Sequence, residues 1–196
     1  QALDNNTLAM SDPEHHVIST LNLTSGVEET LAGMENAPGF VDDTGDLAQF
    51  DRPYGLALLS GGSSLLVADQ NNHCLRQVTL PAGVVTTFAG ICTTPGSGNG
   101  SVATATFNAP QDVAVSGLNV YVSDHDNFLI RRINGGTVFT QAGNGIQGFA
   151  DGAGTAASFF GLEGIALDAS GTTLWIADGN NGTGDPFNRV RRLAVP

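Results

Sequence analysis

Three acid–base pairs recur at matching places in this sequence: Asp69 with Arg76, Asp124 with Arg131, and Asp178 with Arg191. A carboxylate beside a guanidinium can hold an anion or steady a reacting group. A pair that returns once per repeat, however, serves geometry rather than a single site. The expectation is that each pair bridges neighbouring strands of its own unit. The four histidines are scattered, with His15, His16 and His73 in strand connections and His125 beside Asp124. There is no His-x-x-x-His spacing, nucleophile elbow or glycine-rich phosphate loop. Two acidic turns, Asp42-Asp-Thr-Gly-Asp46 and Asp124-His-Asp126, could lend oxygens to calcium, which takes about six to eight of them. Solvated acidic turns are the preferred reading, and no cofactor is expected. The double arginines Arg131-Arg132 and Arg191-Arg192 raise the question of RNA. Alternating strand faces would point the two members apart, and the 7 Arg, with no Lys, face 19 Asp and Glu for a net charge of −12. A phosphate backbone needs clustered cations, so a nucleic-acid partner is excluded.

The frame for these residues is a repeat. An apolar stretch closing on Asp occurs four times: Leu8–Asp12, Leu65–Asp69, Val120–Asp124 and Leu174–Asp178, at intervals of 57, 55 and 54 residues. Ala-Gly keeps step at 32–33, 89–90 and 142–143, and Ala-x-Phe at 48–50, 105–107 and 157–159. Each unit reads as four short strands. The first is small and apolar (Gly55–Leu59, Val113–Val115, Ile165–Leu167). The second is the run ending in Asp, continuous rather than alternating, as in a strand buried on both faces. The third carries the arginine (Leu75–Val78, Ile130–Ile133, Val190–Leu193), and the fourth, Val84–Phe88, leads to Ala-Gly. Gly-, Pro- and Asn-bearing turns separate them, and no amphipathic helix interrupts the series. Four-stranded units repeated radially are the blades of a β-propeller, an all-β fold.

The order Ala-x-Phe-x-x-Pro-x-Gly, Val-Ala-Asp-x-x-Asn, apolar-Arg, Gly-x-Val-x-Thr-x-Ala-Gly resembles the NHL-repeat propellers. Residues 48–90 carry nearly all of it: Phe50, Pro53, Gly55, Val67-Ala-Asp69, Asn72, Leu75-Arg76, Gly83-Val84 and Ala89-Gly90. Two departures stand out. Leu162 occupies the place of the proline, and Gly182–Phe187 is inserted in the last unit. The resemblance implies about four blades, near 1–33, 34–90, 91–143 and 144–196, in a ring that usually has six. Gln1–Asp4 matches Ile165–Asp168, a first strand, and the last blade lacks its outer strand. That register reads as a piece of a longer chain. The alternative is a complete chain whose edges another subunit covers by strand addition.

Compartment is read from four sequons and two cysteines. Asn5, Asn22, Asn99 and Asn181 each head an Asn-x-Ser/Thr triplet in an expected turn, as glycan acceptors require. Turns are built of Asn, Gly, Ser and Thr in any case. Cys74 and Cys92 flank the third and fourth strands of one blade, and folding that hairpin brings them toward register, which suits a disulfide and an oxidising compartment. Two buried thiols are the alternative. The segment from Cys92 to Ser101 reads as an inter-blade loop. Charged residues are only 13% of the chain, against about 25% in ordinary soluble domains, and sugars could supply the solvation that charges usually give. No apolar run approaches the roughly 20 residues of a membrane-spanning helix.

These observations point to a non-catalytic extracellular or cell-surface glycoprotein. It would serve as a structural or protein-interaction module of a larger surface, matrix or filament assembly, meeting partners or copies of itself through open blade edges and loops. The alternative is a secreted metal-dependent propeller lyase or hydrolase whose channel is completed by blades not present here. Tyr54, Asp112 and Glu163 would then stand at the channel mouth, with Asp4 and Asp168 at the far ends of first strands. An intracellular interaction module is a third possibility.

Overall fold

The structure, a computed structural model, describes residues 1–179 and 188–196. It is all-β, arranged as four antiparallel sheets in chain order with no closed barrel. The first sheet runs β1 (Thr7–Asp12), β2 (Val17–Asn22), β3 (Glu28–Ala32). The second holds β4 (Pro53–Leu58), β5 (Ser64–Asp69), β6 (Cys74–Thr79) and β7 (Val85–Ala89). The third has β9 (Pro110–Ser116), β10 (Asn119–Asp124), β11 (Leu129–Asn134) and β12 (Thr137–Ala142), with the two-residue β8 (Gly100–Ser101) added outside β12. The fourth holds β13 (Leu162–Leu167), β14 (Thr173–Asp178) and β15 (Arg189–Ala194). The helical content among the described residues is three single 3₁₀ turns. These are propeller blades.

Three cores lie between the sheets, and the second strands of the two middle blades, β5 and β10, each feed two of them. Leu65 and Val67 of β5 face the first sheet, while Leu66 and Ala68 face the third. Val120 and Val122 of β10 turn back to the second sheet, and Tyr121 turns forward to the fourth. With a two-residue side-chain period, a strand packed on both faces must be apolar at every position, hence the unbroken runs.

Two expectations are corrected. Gln1–Asp4 forms no named strand. Gln1 and Ala9 exchange hydrogen bonds, and a single bridge joins Ala2 to Leu8. That pairing is too short to build a ladder. The segment after Cys92 is also not a free loop. Gly96 N–H donates to Phe107 O, Thr106 N–H donates to Gly98 O, and β8 pairs with β12. These bonds tie a largely exposed segment to the third sheet.

Candidate functional site

The recurring arginines organise three equivalent constellations. Arg76 lies in β6 opposite Val67, fully buried. Its Nη1 donates to Asp69 Oδ2 at 2.9 Å and to Gln49 O at 3.0 Å. Its Nη2 donates to Val41 O at 2.9 Å and to Asp42 Oδ1 at 2.5 Å. The Phe50 ring lies 5.2 Å beneath the guanidinium. Arg131 repeats the pattern with Asp124 (2.7 Å), Thr106 O, Gly98 O and Asn99 Oδ1, above Phe107. Arg191 repeats it with Asp178 (2.7 Å), Ser158 O, Ala150 O and Asp151, above Phe159.

Each pair therefore joins the second and third strands of its blade and also ties down the segment arriving from the blade before. The aspartate's other oxygen accepts a backbone N–H from that segment: Asp51 to Asp69, Asn108 to Asp124, Phe160 to Asp178. Asn72 and Asn127, three residues beyond their aspartates, donate to the carboxylate and to Gly39 O and Gly96 O. Burial pushes the Asp69 carboxyl up to about 6, against the pull of Asn72 and Arg76. Burial pushes Asp124 up to about 6 as well, against Arg131. A buried ion pair with this many donors is a strut whose lone pairs and protons are already in use. The first sheet has Ser19 in the arginine's place.

Two residue sets escaped the sequence reading. Phe50, Phe107 and Phe159, the markers of Ala-x-Phe, are the platforms of the guanidinium groups. His16 and His73, in left-handed backbone at φ 62 and 56, each accept a backbone N–H of the next blade through Nδ1, from Arg52 and Ala109. They sit 57 residues apart, the repeat interval, and that spacing was the available signal. At His73 burial lowers the pKa, which favours the neutral ring that an accepting Nδ1 requires.

Each of the proposed channel residues has its own setting. Tyr54 Oη accepts from Arg52. Glu163 is its register counterpart in β13 and has Oε1 buried without a hydrogen-bond partner among the described residues. Asp112 takes a different position, equivalent to Gly55 and Gly164, and its carboxylate fills the space beside both glycines. It accepts from Ile165 N–H at 2.8 Å and from Val113 N–H. Asp4 and Asp168 cap turns, accepting from Asn6 N–H and from Thr172 and Thr173 N–H. Of the two acidic turns, Asp42 is taken by Arg76 and Thr87, Asp124 by Arg131, and Asp126 by His125. No group of three His, Cys, Asp or Glu suited to a metal ion occurs among the described residues.

Cys74 and Cys92 are joined as a disulfide with Cα atoms 5.0 Å apart, pinning the start of β6 to the connection after β7. Asn5 is exposed. Asn22 ends β2, with Oδ1 accepting from Thr24 and Ser25 N–H. Asn99 is exposed while its Oδ1 accepts from Arg131 and Thr140. Asn181 and the inserted Gly182–Phe187 lie outside the described residues.

The sheets, their repeat and these struts define β-propeller blades similar to those of the NHL-repeat propellers. The curated relatives this chain matches are NHL repeat-containing proteins. The chain is 33% identical to human NHL repeat-containing protein 2 over an alignment of 132 residues, 63% of this chain and 18% of that protein. It is 41% identical to the chicken protein of that name over 92 residues, 44% of this chain and 12% of that one. It thus spans less than a fifth of the curated relatives it matches. No protein-family model matches the chain. Among solved structures, an auxiliary nutrient binding protein from Bacteroides thetaiotaomicron superposes with a TM-score of 0.72 at 17% identity, over 96% of this chain and 46% of that one. A protein of unknown function from the same organism gives 0.73 at 23% identity, over 88% and 42%.

Proposed function

We propose that this chain is a non-catalytic propeller module of a larger extracellular or cell-surface glycoprotein, holding protein partners through its loops and edges in a structural or filament-forming assembly. The NHL-type fold supports an interaction module. The observation that carries the reading is the use of the recurring polar groups. Every Asp–Arg pair is occupied by the chain's own backbone and by its own blade, which leaves the repeated chemistry structural. The disulfide between Cys74 and Cys92 supports an oxidising compartment. Exposed Asn5 and Asn99 and the turn at Asn22 are glycan acceptors in this reading, as is Asn181. In Asn22 and Asn99 the engaged atom is the amide oxygen, which leaves Nδ2 to carry sugar.

The test is intact mass of the protein from its native source, before and after enzymatic removal of N-glycans, with thiol alkylation in the absence of reductant. Loss of glycan mass with no alkylated cysteine is expected. An unchanged mass with two alkylated thiols would replace the proposal with an intracellular interaction module.

A further inference from the structure

Of the three arginine struts, the one in the third sheet has an amide where the others have an acid. Asp42, Asn99 and Asp151 each lie six residues before the alanine of Ala-x-Phe, and each presents Oδ1 to Nη2 of its own blade's arginine. In the second sheet both oxygens of the carboxylate are used. Asp42 Oδ1 accepts from Arg76 Nη2 and also from Nε at 3.1 Å. Its Oδ2 accepts the N–H and the hydroxyl of Thr87, at 3.0 and 3.1 Å. In the third sheet Asn99 Oδ1 accepts from Arg131 Nη2 at 2.9 Å and from Thr140 Oγ1 at 3.4 Å. Arg131 is fully buried, and its Nε has no hydrogen-bond partner among the described residues. Thr140 lies opposite Arg131 as Thr87 lies opposite Arg76. The second polar atom of Asn99, however, is a nitrogen, which donates and cannot accept. A buried guanidinium N–H without a partner costs stability, so the third strut is one carboxylate short.

The sequence supplies a route to that carboxylate. Gly100 follows Asn99, and glycine, with no side chain beside its nitrogen, least hinders attack by that nitrogen on the preceding amide. The Gly100 nitrogen loses its proton and bonds to Asn99 Cγ, and the side-chain nitrogen leaves as ammonia. Water then opens the cyclic imide at Cγ, which gives aspartate and restores the peptide bond. Asn99 is exposed, and β8, which begins at Gly100, has only two residues. Brief opening of so short a strand frees the reacting atoms. Two other described asparagines precede glycine, Asn134 and Asn144. Asn134 gives its side-chain nitrogen to Asn119 Oδ1, and Asn144 Oδ1 accepts the Ile146 N–H. Among the described residues neither is bonded to an arginine, so an acid at either position gains no strut.

We infer that Asn99 is a modification site, at which loss of the amide nitrogen completes the Arg131 strut and fastens β8 to the third sheet. The resulting carboxylate takes Arg131 Nε on one oxygen and Thr140 on the other, as Asp42 does with Arg76 and Thr87. The inference goes beyond the proposed function and does not depend on it. A sugar on Nδ2 would hold Asn99 in its amide form, and hydrolytic removal of that sugar at Cγ leaves the same aspartate. A chain that never carries the sugar reaches it through the imide.

The test uses the 196-residue protein produced without N-glycosylation, and compares it with Asn99→Asp by urea unfolding and amide hydrogen exchange. Asn99→Asp should raise the urea midpoint and slow exchange across residues 100–102 and 137–140 roughly tenfold. In a Thr140→Val background the gain should shrink, because the second oxygen has lost a partner. The natural protein is then aged at mildly alkaline pH and mapped by mass spectrometry that separates aspartate from isoaspartate. Aspartate at position 99 should accumulate and bring the same slowing of exchange, while conversion of Asn134 or Asn144 leaves β8 as it was. An Asn99→Asp variant with no gain, or an equal gain in the Thr140→Val background, would overturn the inference. So would ageing that leaves Asn99 intact or turns it mainly to isoaspartate.

Discussion

In the second sheet Leu66 and Leu75 are fully buried, whereas their counterparts in the fourth, Trp175 and Val190, are 44% and 75% exposed. The local chemistry of the two sheets is nearly the same. Both carry the aspartate, the arginine with its phenylalanine platform, and the carboxylate on the incoming segment. What differs is the surroundings. Sheet two has an outer strand and a sheet on either side, while sheet four has neither an outer strand nor a following sheet among the described residues. A blade thus supplies its own hydrogen-bond ladder and borrows its burial, the nearest-neighbour logic of repeat proteins.

The sharpest way to break that comparison is to remove the same group from both sheets. Arg76→Ala strips the partner from Asp69, whose side chain is fully buried, and from two carbonyls of the incoming segment. An unpaired buried carboxylate costs about 3–5 kcal/mol. Arg191→Ala should cost somewhat less, about 2–4 kcal/mol. It also strands a buried carboxylate, Asp178, but the guanidinium side is 10% exposed, so water can reach the space it leaves, and its other partner, Asp151, already faces solvent. Urea unfolding of the two variants measures both. Equal losses would mean that the neighbouring strand and sheet contribute nothing to the strut.

The disulfide is a second asymmetry, since the Cys74 position is Arg189 in sheet four. Replacing both cysteines by alanine frees a loop of 18 residues, and chain-entropy arguments give about 3 kcal/mol for a closure of that size. The loss should fall chiefly on the second and third sheets. Exchange of the amides in β6 and β8 should accelerate while β14 is unchanged. Uniform acceleration would show that the bond stabilises the whole array rather than one junction.

The fold was legible because both faces of β5 and β10 are packed and the same apolar run ending in Asp recurs in β1 and β14. The disulfide partners were legible because Cys74 and Cys92 flank one hairpin. The use of the other markers was not. Phe50 was visible as part of Ala-x-Phe, but its guanidinium lies 26 residues further on and two strands away, a proximity that only the packed blade creates. Asp42, Asn99 and Asp151 precede their arginines by 34, 32 and 40 residues and differ in type, so no motif linked them. Asp112 was grouped with Tyr54 and Glu163 as a channel residue. Strand register sets it one position away from them, where the neighbouring blades have glycine.

That position yields the smallest and most specific effect. Asp112 is wedged between Gly55 of the second sheet and Gly164 of the fourth, and holds Ile165 N–H without any cation beside it. Burial raises its carboxyl above the ordinary value, partly offset by the N–H groups of Ile165 and Val113. The native state therefore keeps this proton at pH values where the unfolded chain has released it. The group's contribution to stability is complete below the unfolded carboxylate value and is lost as pH rises through the native one. Asp112→Asn has no such titration and should cost about 1 kcal/mol through a weakened bond to Ile165. Thermal unfolding of both proteins from pH 3.5 to 7 supplies the test. The advantage of the natural protein over the variant should be greatest at the acid end and shrink as pH rises. Asp69 and Asp124, also raised by burial, titrate alike in both proteins and cancel from the difference. A difference that is flat, or that grows with pH, would mean that Asp112 is solvated through the channel face and that the second and fourth sheets are not coupled across it.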